Sequence, residues 1–506
     1  MTRVRVLLGI TIAVVTALVG VTAASAANPS ACANRNNNTH EKLQECVTLA
    51  GVRDHQAALQ DIADDNAGTR AAGLPGYLAS VQYAESVFAA AGYTVTRQTF
   101  QFTYTEENSE LVRVSPNQRT FINESEFLRN RFDSGVPEGT ATGPLVNVDL
   151  VLNPSGPPNT STSGCDAADW AGFPAGAVAL VQRGTCGFTV KVLNAQAAGA
   201  SAVIVMNEGQ PGRTGLVGMI GDATGLTIPA VFATFDAGLN LATTASSIVT
   251  VKVDFTAETR DAYNVLAESK TGNANNVVMV GAHLDSVQAG PGINDNGSGS
   301  AAILEVAEQM AKVKPTNNVR FALWGAEESG LLGSRHYVTN LAQADQDKIA
   351  LYLNFDMIGS PNYMFGIYDG DNSGGTAAPG FIPAGSAQIE DAFERFYTGR
   401  SQPFNDTEFS GRSDYGPFIA VGIPAGGLFT GAEGVKTAAQ AAAYGGTAGT
   451  AYDPCYHQAC DTFANVNTFA LDVNSDAVAY VTLQYGMTTR DVNGVPGNPD
   501  FEVFLP

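Results

Sequence analysis

Apolar positions recur every three to four residues from Gln56 to Asp65 and again from Pro75 to Ala91, where Gly92 ends the run. Both stretches predict amphipathic helices. Thr94–Phe102, "TVTRQTFQF", then alternates with period two and predicts a strand. From about 103 to 140 the chain is polar and shows no clear period. Between about 140 and 255 the pattern changes. A Pro/Ser/Thr/Gly-rich loop, "NPSGPPNTSTSG", precedes a predicted strand (Ala177–Val181), a helix (Thr189–Ala198), a strand (Ala202–Met206) and a strand around Ile228–Ala233. This stretch has no histidine and no clustered acids, so it carries no visible chemistry.

From Ala262 onward strands alternate with helices. "AYNVLAES", "NVVMVGAH", "VRFALWGAE" and "LYLNFDMI" are strands whose continuous apolar runs imply burial on both faces, and "SAAILEVAEQMAKV" and "SGLLGSRHYVTNLA" have helical spacing. The pattern predicts an α/β fold with a mainly parallel central sheet flanked by helices. Such sheets bind ligands beyond the carboxyl ends of their strands.

Each of these strands stops at something reactive. The first ends at His283-Leu284-Asp285, and a glycine-rich loop then supplies Asp295; "FALWGAEES" ends in Glu327-Glu328 and "LNFDMIG" in Asp356. Far along the chain, "DPCYHQACD" offers Tyr456-His457 between two cysteines. The remaining histidines, His40, His55 and His336, lie on helical or polar stretches and read as structural or solvated. Taken singly, a strand-end Asp is usually a turn or cap and a Glu-Glu pair a solvated surface. Their joint occurrence at successive strand ends, with so few histidines in the chain, favours a metal site. Mixed imidazole and carboxylate donors suit zinc. Five ligands exceed the three protein ligands of one catalytic zinc and fit two zincs sharing a bridging carboxylate. A phosphate cradle in "NGSGSA" lacks the P-loop lysine.

The 506 residues are 44% apolar, which excludes a wholly disordered chain. Arg3 and Arg5 ahead of an apolar run and Ala24-Ser25-Ala26 predict a secretory signal over 1–26, hence a secreted, extracellular protein with no membrane anchor after cleavage. With 27 basic and 49 acidic residues the net charge is −22. Without Arg3 and Arg5 it becomes 25 − 49 = −24, which excludes nucleic acid as a natural partner. Six cysteines in an exported chain suggest disulfides; of fifteen pairings, sequence neighbourhood favours Cys32–Cys46, Cys165–Cys186 and Cys455–Cys460.

Together "GAHLDSV", "GINDNGSGSAA", "WGAEE", "YLNFDMIGSPN", "GRSD", "GGLFTGA", "GGTAG" and "DPCYH..CD" resemble, in order, the motifs of the secreted double-zinc leucyl aminopeptidases of the Streptomyces type. The resemblance covers about 45–102 and 258–482. The intervening part, above all "ALVQRGTCGFTVKVLNAQAAGASAVIVMNE", resembles a protease-associated (PA) domain, here inserted as a mixed α/β unit. The implied organisation is 1–26 signal, 27–130 N-terminal part of the peptidase and connecting segment, 131–257 PA insert, 258–485 catalytic domain and 486–506 C-terminal tail.

The resemblance implies two zinc ions per chain. His283 and Asp356 would share one, Glu328 and His457 the other, with Asp295 as the bridge. Glu327 would be the general base, Tyr456 the oxyanion donor, and Asp285 would orient the His283 imidazole. Arg412, Met357 and Phe429 match the family's motifs near the substrate, and Tyr415 is a further candidate pocket wall. The family pattern also implies a cis peptide between Asp295 and Asn296. It further implies a calcium site using Asp472 and Asp476, whose N-terminal contribution falls near Glu45-Cys46, where this chain departs from the pattern. The expected activity is removal of large apolar N-terminal residues such as leucine from peptides and proteins by a monomer. The alternatives are a metallocarboxypeptidase or dipeptidase on the same fold, for which Arg412 could receive a carboxylate, and a PA-bearing binding ectodomain with a dead peptidase fold.

Overall fold

A computed structural model describes residues 29–502 apart from 134, 136, 378 and 379. The expected signal segment and the last residues of the C-terminal tail lie outside the described residues. Among those described, no helix is long and apolar enough to cross a membrane. The chain divides into two compact units, one of residues up to Phe102 and from Arg260 on, the other Thr103–Thr259.

The first unit is built on an eight-stranded sheet: β1 (Thr94–Glu107), β2 (Phe255–Glu268), β3 (Asn273–His283), β4 (Asn317–Trp324), β5 (Ile349–Phe355), β6 (Gly366–Tyr368), β7 (Asn405–Thr407) and β8 (Ala425–Phe429). Their spatial order is β1-β2-β4-β3-β5-β8-β6-β7. The central strands β4, β3, β5 and β8 are mutually parallel, while β2 against β4 and β6 against β8 are antiparallel. All seven residues of β5 and the last eight of β3 are buried, as continuous apolar runs require in a sheet covered on both faces. Helices Leu49–Asp64, Pro75–Ala91 and Thr468–Met487 pack against helix Gly297–Met310. The first of these begins seven residues before the periodic stretch at Gln56, because the Thr48 side chain caps it by accepting from the Gly51 amide.

The second unit holds its own eight-stranded sheet. Strands Val178–Gln182, Ala202–Met206 and Ala230–Ala233 run parallel and wholly buried, with helix Phe188–Ala197 between the first two. Past β1, much of the polar segment 103–140 belongs here: Glu110–Ser115, Arg119–Thr120 and Phe127–Arg129 are short strands of this sheet. The expectation gave 27–130 to the N-terminal part of the peptidase and a connecting segment. Glu110–Ser115 buries Leu111 and the polar Arg113, Arg119–Thr120 buries neither residue and Phe127–Arg129 buries only Phe127, so these short strands show no apolar period.

All three disulfides form as the cysteine neighbourhoods suggested, Cys32–Cys46, Cys165–Cys186 and Cys455–Cys460. The Asp295–Asn296 peptide is cis.

Candidate metal centre

β3, β4 and β5 are parallel and in register, so their ends deliver His283, Glu327-Glu328 and Asp356 to one edge of the sheet. Three residues around these ligands hold left-handed backbone without being glycine: Ala326 before Glu327, Met357 after Asp356, and His457 itself (φ 53°, 49° and 57°). Such conformations persist where the surroundings over-determine them and concentrate at functional sites.

The Asp295 carboxylate lies between the two histidines. His283 Nε2 is 3.2 Å from Asp295 Oδ1 and 3.3 Å from Asp356 Oδ1; His457 Nε2 is 3.3 Å from Asp295 Oδ2 and 3.0 Å from Glu328 Oε2. Glu328 Oε1 and Asp356 Oδ1 are buried without a hydrogen-bond partner, a costly state unless a cation satisfies them. Burial alone would lower both imidazoles, yet the carboxylates facing them push both up, His457 to about 10. The site therefore calls for positive charge. Its donors, imidazole nitrogen and carboxylate oxygen, suit zinc.

Two other groups of potential ligands occur among the described residues, His55/Glu305/Glu308 and Asp369/Glu390/Asp406. In the first, His55 Nε2 stands 3.8 and 3.7 Å from the two carboxylates, wider than the four imidazole–carboxylate distances given above for His283 and His457. His55 is buried and its Nδ1 meets the Tyr83 hydroxyl at 2.7 Å, the structural role expected of it.

Supporting contacts hold these ligands. Ser413 donates to Asp356 Oδ2 at 2.6 Å and itself accepts from Asn354 at 2.9 Å. His283 Nδ1 meets the Asp285 main-chain carbonyl at 3.1 Å, while the Asp285 carboxylate is 3.8 Å away and accepts the Glu327 amide at 3.2 Å. Asp285 thus steadies the imidazole through its carbonyl, and its carboxylate fixes the backbone of Glu327. Asp461 accepts the amides of Asn294 and Asp295 at 2.8 and 2.9 Å, tying the loop that carries Tyr456 and His457 to Asp295. Asp461 and Ser413 stand inside the motifs "DPCYH..CD" and "GRSD", whose pattern alone gives them no task.

A cavity of about 490 Å³ opens over the cluster; His283, Asp295, Glu327, Glu328, Asp356, Tyr456 and His457 share it with Met357, Tyr415, Phe429, Arg412 and Glu433. Burial is the largest influence holding the Glu327 carboxyl well above its ordinary range, with His283 opposing it and Asp414, Glu328 and Asp356 reinforcing it. Tyr456 stacks on His457 with centroids 3.8 Å apart, and burial and nearby carboxylates push its phenol upward, so it stays protonated. Arg412 is exposed and paired with Glu433 at 3.3 Å.

The expected calcium residues do not fit that ion. Asp476 pairs with Arg400 at 2.7 Å, Asp472 is exposed, and Glu45 pairs with Arg35 at 2.7 Å. Calcium takes six to eight oxygens, and here Arg400 already pairs with one of the two expected acids, while Arg35 holds the glutamate where the chain departs from the pattern.

The fold and this donor set define a metal-dependent hydrolase. The peptidase family M28 model matches residues 264–482 and the PA domain model residues 141–241. An aminopeptidase of Pseudomonas aeruginosa is 49% identical over 472 residues, covering 92% of this chain and 86% of that one. Leucine aminopeptidase 2 of Trichophyton rubrum is 48% identical over 340 residues, 67% of each chain. Among solved structures, the aminopeptidase from Aneurinibacillus sp. strain AM-1 aligns with a TM-score of 0.56 at 27% identity, covering 88% of this chain and 96% of that one. The chain belongs to peptidase family M28 and carries an inserted PA domain.

Proposed function

We propose that this M28 peptidase is a secreted, two-zinc aminopeptidase that removes apolar N-terminal residues such as leucine from peptides and proteins. The observation that carries the reading is the division of Asp295, each carboxylate oxygen facing a different histidine that has a further carboxylate of its own. Relatives named aminopeptidase and leucine aminopeptidase support it.

His283 and Asp356 would hold one zinc, Glu328 and His457 the other, and Asp295 would bridge them. When bound, the pair would lower the pKa of a water towards about 7 and polarise the scissile carbonyl. Glu327 takes the proton of the attacking water and returns it to the leaving amine, a task suited to a carboxyl whose pKa burial has raised. Tyr456, kept protonated, donates to the oxyanion as the carbonyl becomes tetrahedral. Glu327 and Asp356 receive the substrate's free α-amine, while Met357, Phe429 and Tyr415 offer an apolar wall to its first side chain.

A carboxypeptidase would need a free cation for the substrate's carboxylate. Arg412 is exposed and faces Glu433, and relatives named aminopeptidase favour the amine end.

The test is Glu327→Gln, assayed on Leu-p-nitroanilide with zinc measured. Retained zinc with turnover lower by about 10²–10⁴-fold supports the base; near-normal turnover rejects it. An N-acetylated peptide should resist cleavage, and its hydrolysis would favour the carboxypeptidase.

A further inference from the structure

Between His283 and Asp295 the chain has to leave β3, run out through a loop and turn back so that the bridging carboxylate returns to the imidazole. Glycine permits the turn. Gly292 has φ 61°, and a Cβ there would stand 2.3 Å from the Asp295 carbonyl oxygen. Permission is not restraint, however, and a glycine-rich loop needs something to hold it.

That hold comes from the segment between helices Leu49–Asp64 and Pro75–Ala91. Arg70 is fully buried, and its planar guanidinium donates to three main-chain carbonyls of this loop: Nη1 to Leu284, Nε to Pro291 at 2.8 Å and Nη2 to Gly292 at 2.7 Å. One carbonyl comes from the outgoing limb and two from the returning limb, so a single rigid group sets the distance between them. The neighbouring backbone adds to the clamp. The Arg70 amide donates to Ser286 Oγ at 2.9 Å, Ser286 Oγ donates to the Gly290 carbonyl at 2.9 Å, and Thr69 Oγ1 donates to the Val287 carbonyl at 2.8 Å. The outgoing limb includes Asp285, whose carbonyl steadies His283 and whose carboxylate accepts the Glu327 amide. The returning limb leads directly into Asp295.

Burial draws the guanidinium down to about 10 against the pull of Asp285, Asp461, Asp295 and Glu328, so it is charged at neutral pH. It is a fixed cation on the protein side of a carboxylate-rich cluster, and it touches neither the substrate cavity's lining nor a proposed ligand.

We infer that Arg70 is a positioning residue of the metal centre, which clamps the two limbs of the 284–292 loop and thereby sets how the first histidine, the bridging carboxylate and the base meet. The inference rests on the two-zinc reading above. Only arginine offers donors in a planar fork that reaches carbonyls on both limbs. Lysine keeps the charge and up to three donors but radiates them from one atom. Methionine fills comparable space but withdraws the donor from the Leu284 and Pro291 carbonyls and leaves Gly292 with the Gly297 amide alone.

The experiment compares zinc-loaded wild-type, Arg70→Lys and Arg70→Met full-length proteins. It measures zinc content, the rate of zinc release into excess chelator, kcat and KM on Leu-p-nitroanilide, and melting temperature. In Arg70→Met, zinc release should be faster and kcat lower, each by about 10–100-fold, the usual range for groups that orient metal ligands. KM should stay within about 3-fold, because the substrate pocket is untouched. Arg70→Lys should recover part of both losses, and it carries the test if Arg70→Met does not fold. A melting temperature that falls while zinc release and kcat stay within about 2-fold of wild type in folded Arg70→Lys or Arg70→Met would overturn the inference and leave only a structural role. A wild-type protein that holds fewer than two zincs would reject the two-zinc reading, and the inference with it; wild-type-like variants of a two-zinc enzyme reject the inference alone.

Discussion

Glu327 donates its backbone amide to the Asp285 carboxylate at 3.2 Å, so the proposed base is anchored to the same residue whose carbonyl steadies His283. Asp285→Ala removes the acceptor and leaves a buried amide unpaired. Asp285→Asn keeps an acceptor oxygen and loses the charge. We expect kcat to fall by about 10–100-fold in the alanine variant and less in the asparagine variant, with KM nearly constant. Steady-state kinetics on both proteins check the order, and equal losses would mean that charge alone matters.

Tyr456 lies against His457 and lines the cavity. If its hydroxyl serves the oxyanion, Tyr456→Phe should lower kcat by about 10²-fold and leave KM within a few-fold, since the hydrogen bond strengthens only as charge develops. A change confined to KM would assign the ring to substrate binding instead.

The Arg412–Glu433 pair is exposed on both sides. Exposed pairs contribute about 0–1 kcal/mol, and an aminopeptidase does not need this cation for a terminal carboxylate. Arg412→Ala should therefore alter kcat/KM on a tripeptide by less than about 5-fold. A far larger loss, specific to substrates with a free carboxyl terminus, would support the carboxypeptidase.

His40 stacks on Tyr480 at 3.9 Å, meets Gln484 at 3.2 Å, and has its pKa lowered by burial to about 4. The folded protein prefers this ring neutral. Its contribution to stability is present above the unfolded value of about 6.5 and is lost as pH falls from there towards 4; the full span is about 3 kcal/mol. Other buried acids titrate nearby, so the informative quantity is a difference. The melting temperature of wild type should fall relative to His40→Gln as pH drops from 7 to 4.5, and a constant difference would contradict the assignment.

The strand ends were legible because imidazoles and carboxylates at the mouths of successive apolar runs are rare unless something binds them there. The disulfides were legible because each pair is close in sequence. Contacts between distant positions were not. Arg70 is 214 to 222 positions from its acceptors and sits in a stretch with no period. Asp461 reaches back 166 and 167 positions to two amides, which no side-chain pattern reveals. Asp285 acts on His283 through a carbonyl, an atom every residue has, so its identity pointed to the carboxylate instead. Nor did the expected calcium pair reveal Arg400, which meets Asp476 from 76 positions before it.

The most direct measurement is the anomalous zinc signal in crystals of the zinc-loaded protein. Two peaks about 3.5–4 Å apart, one beside His283 and Asp356, the other beside Glu328 and His457, with an oxygen of Asp295 on each, are the result expected. A single peak, or a pair that Asp295 does not bridge, would contradict the account.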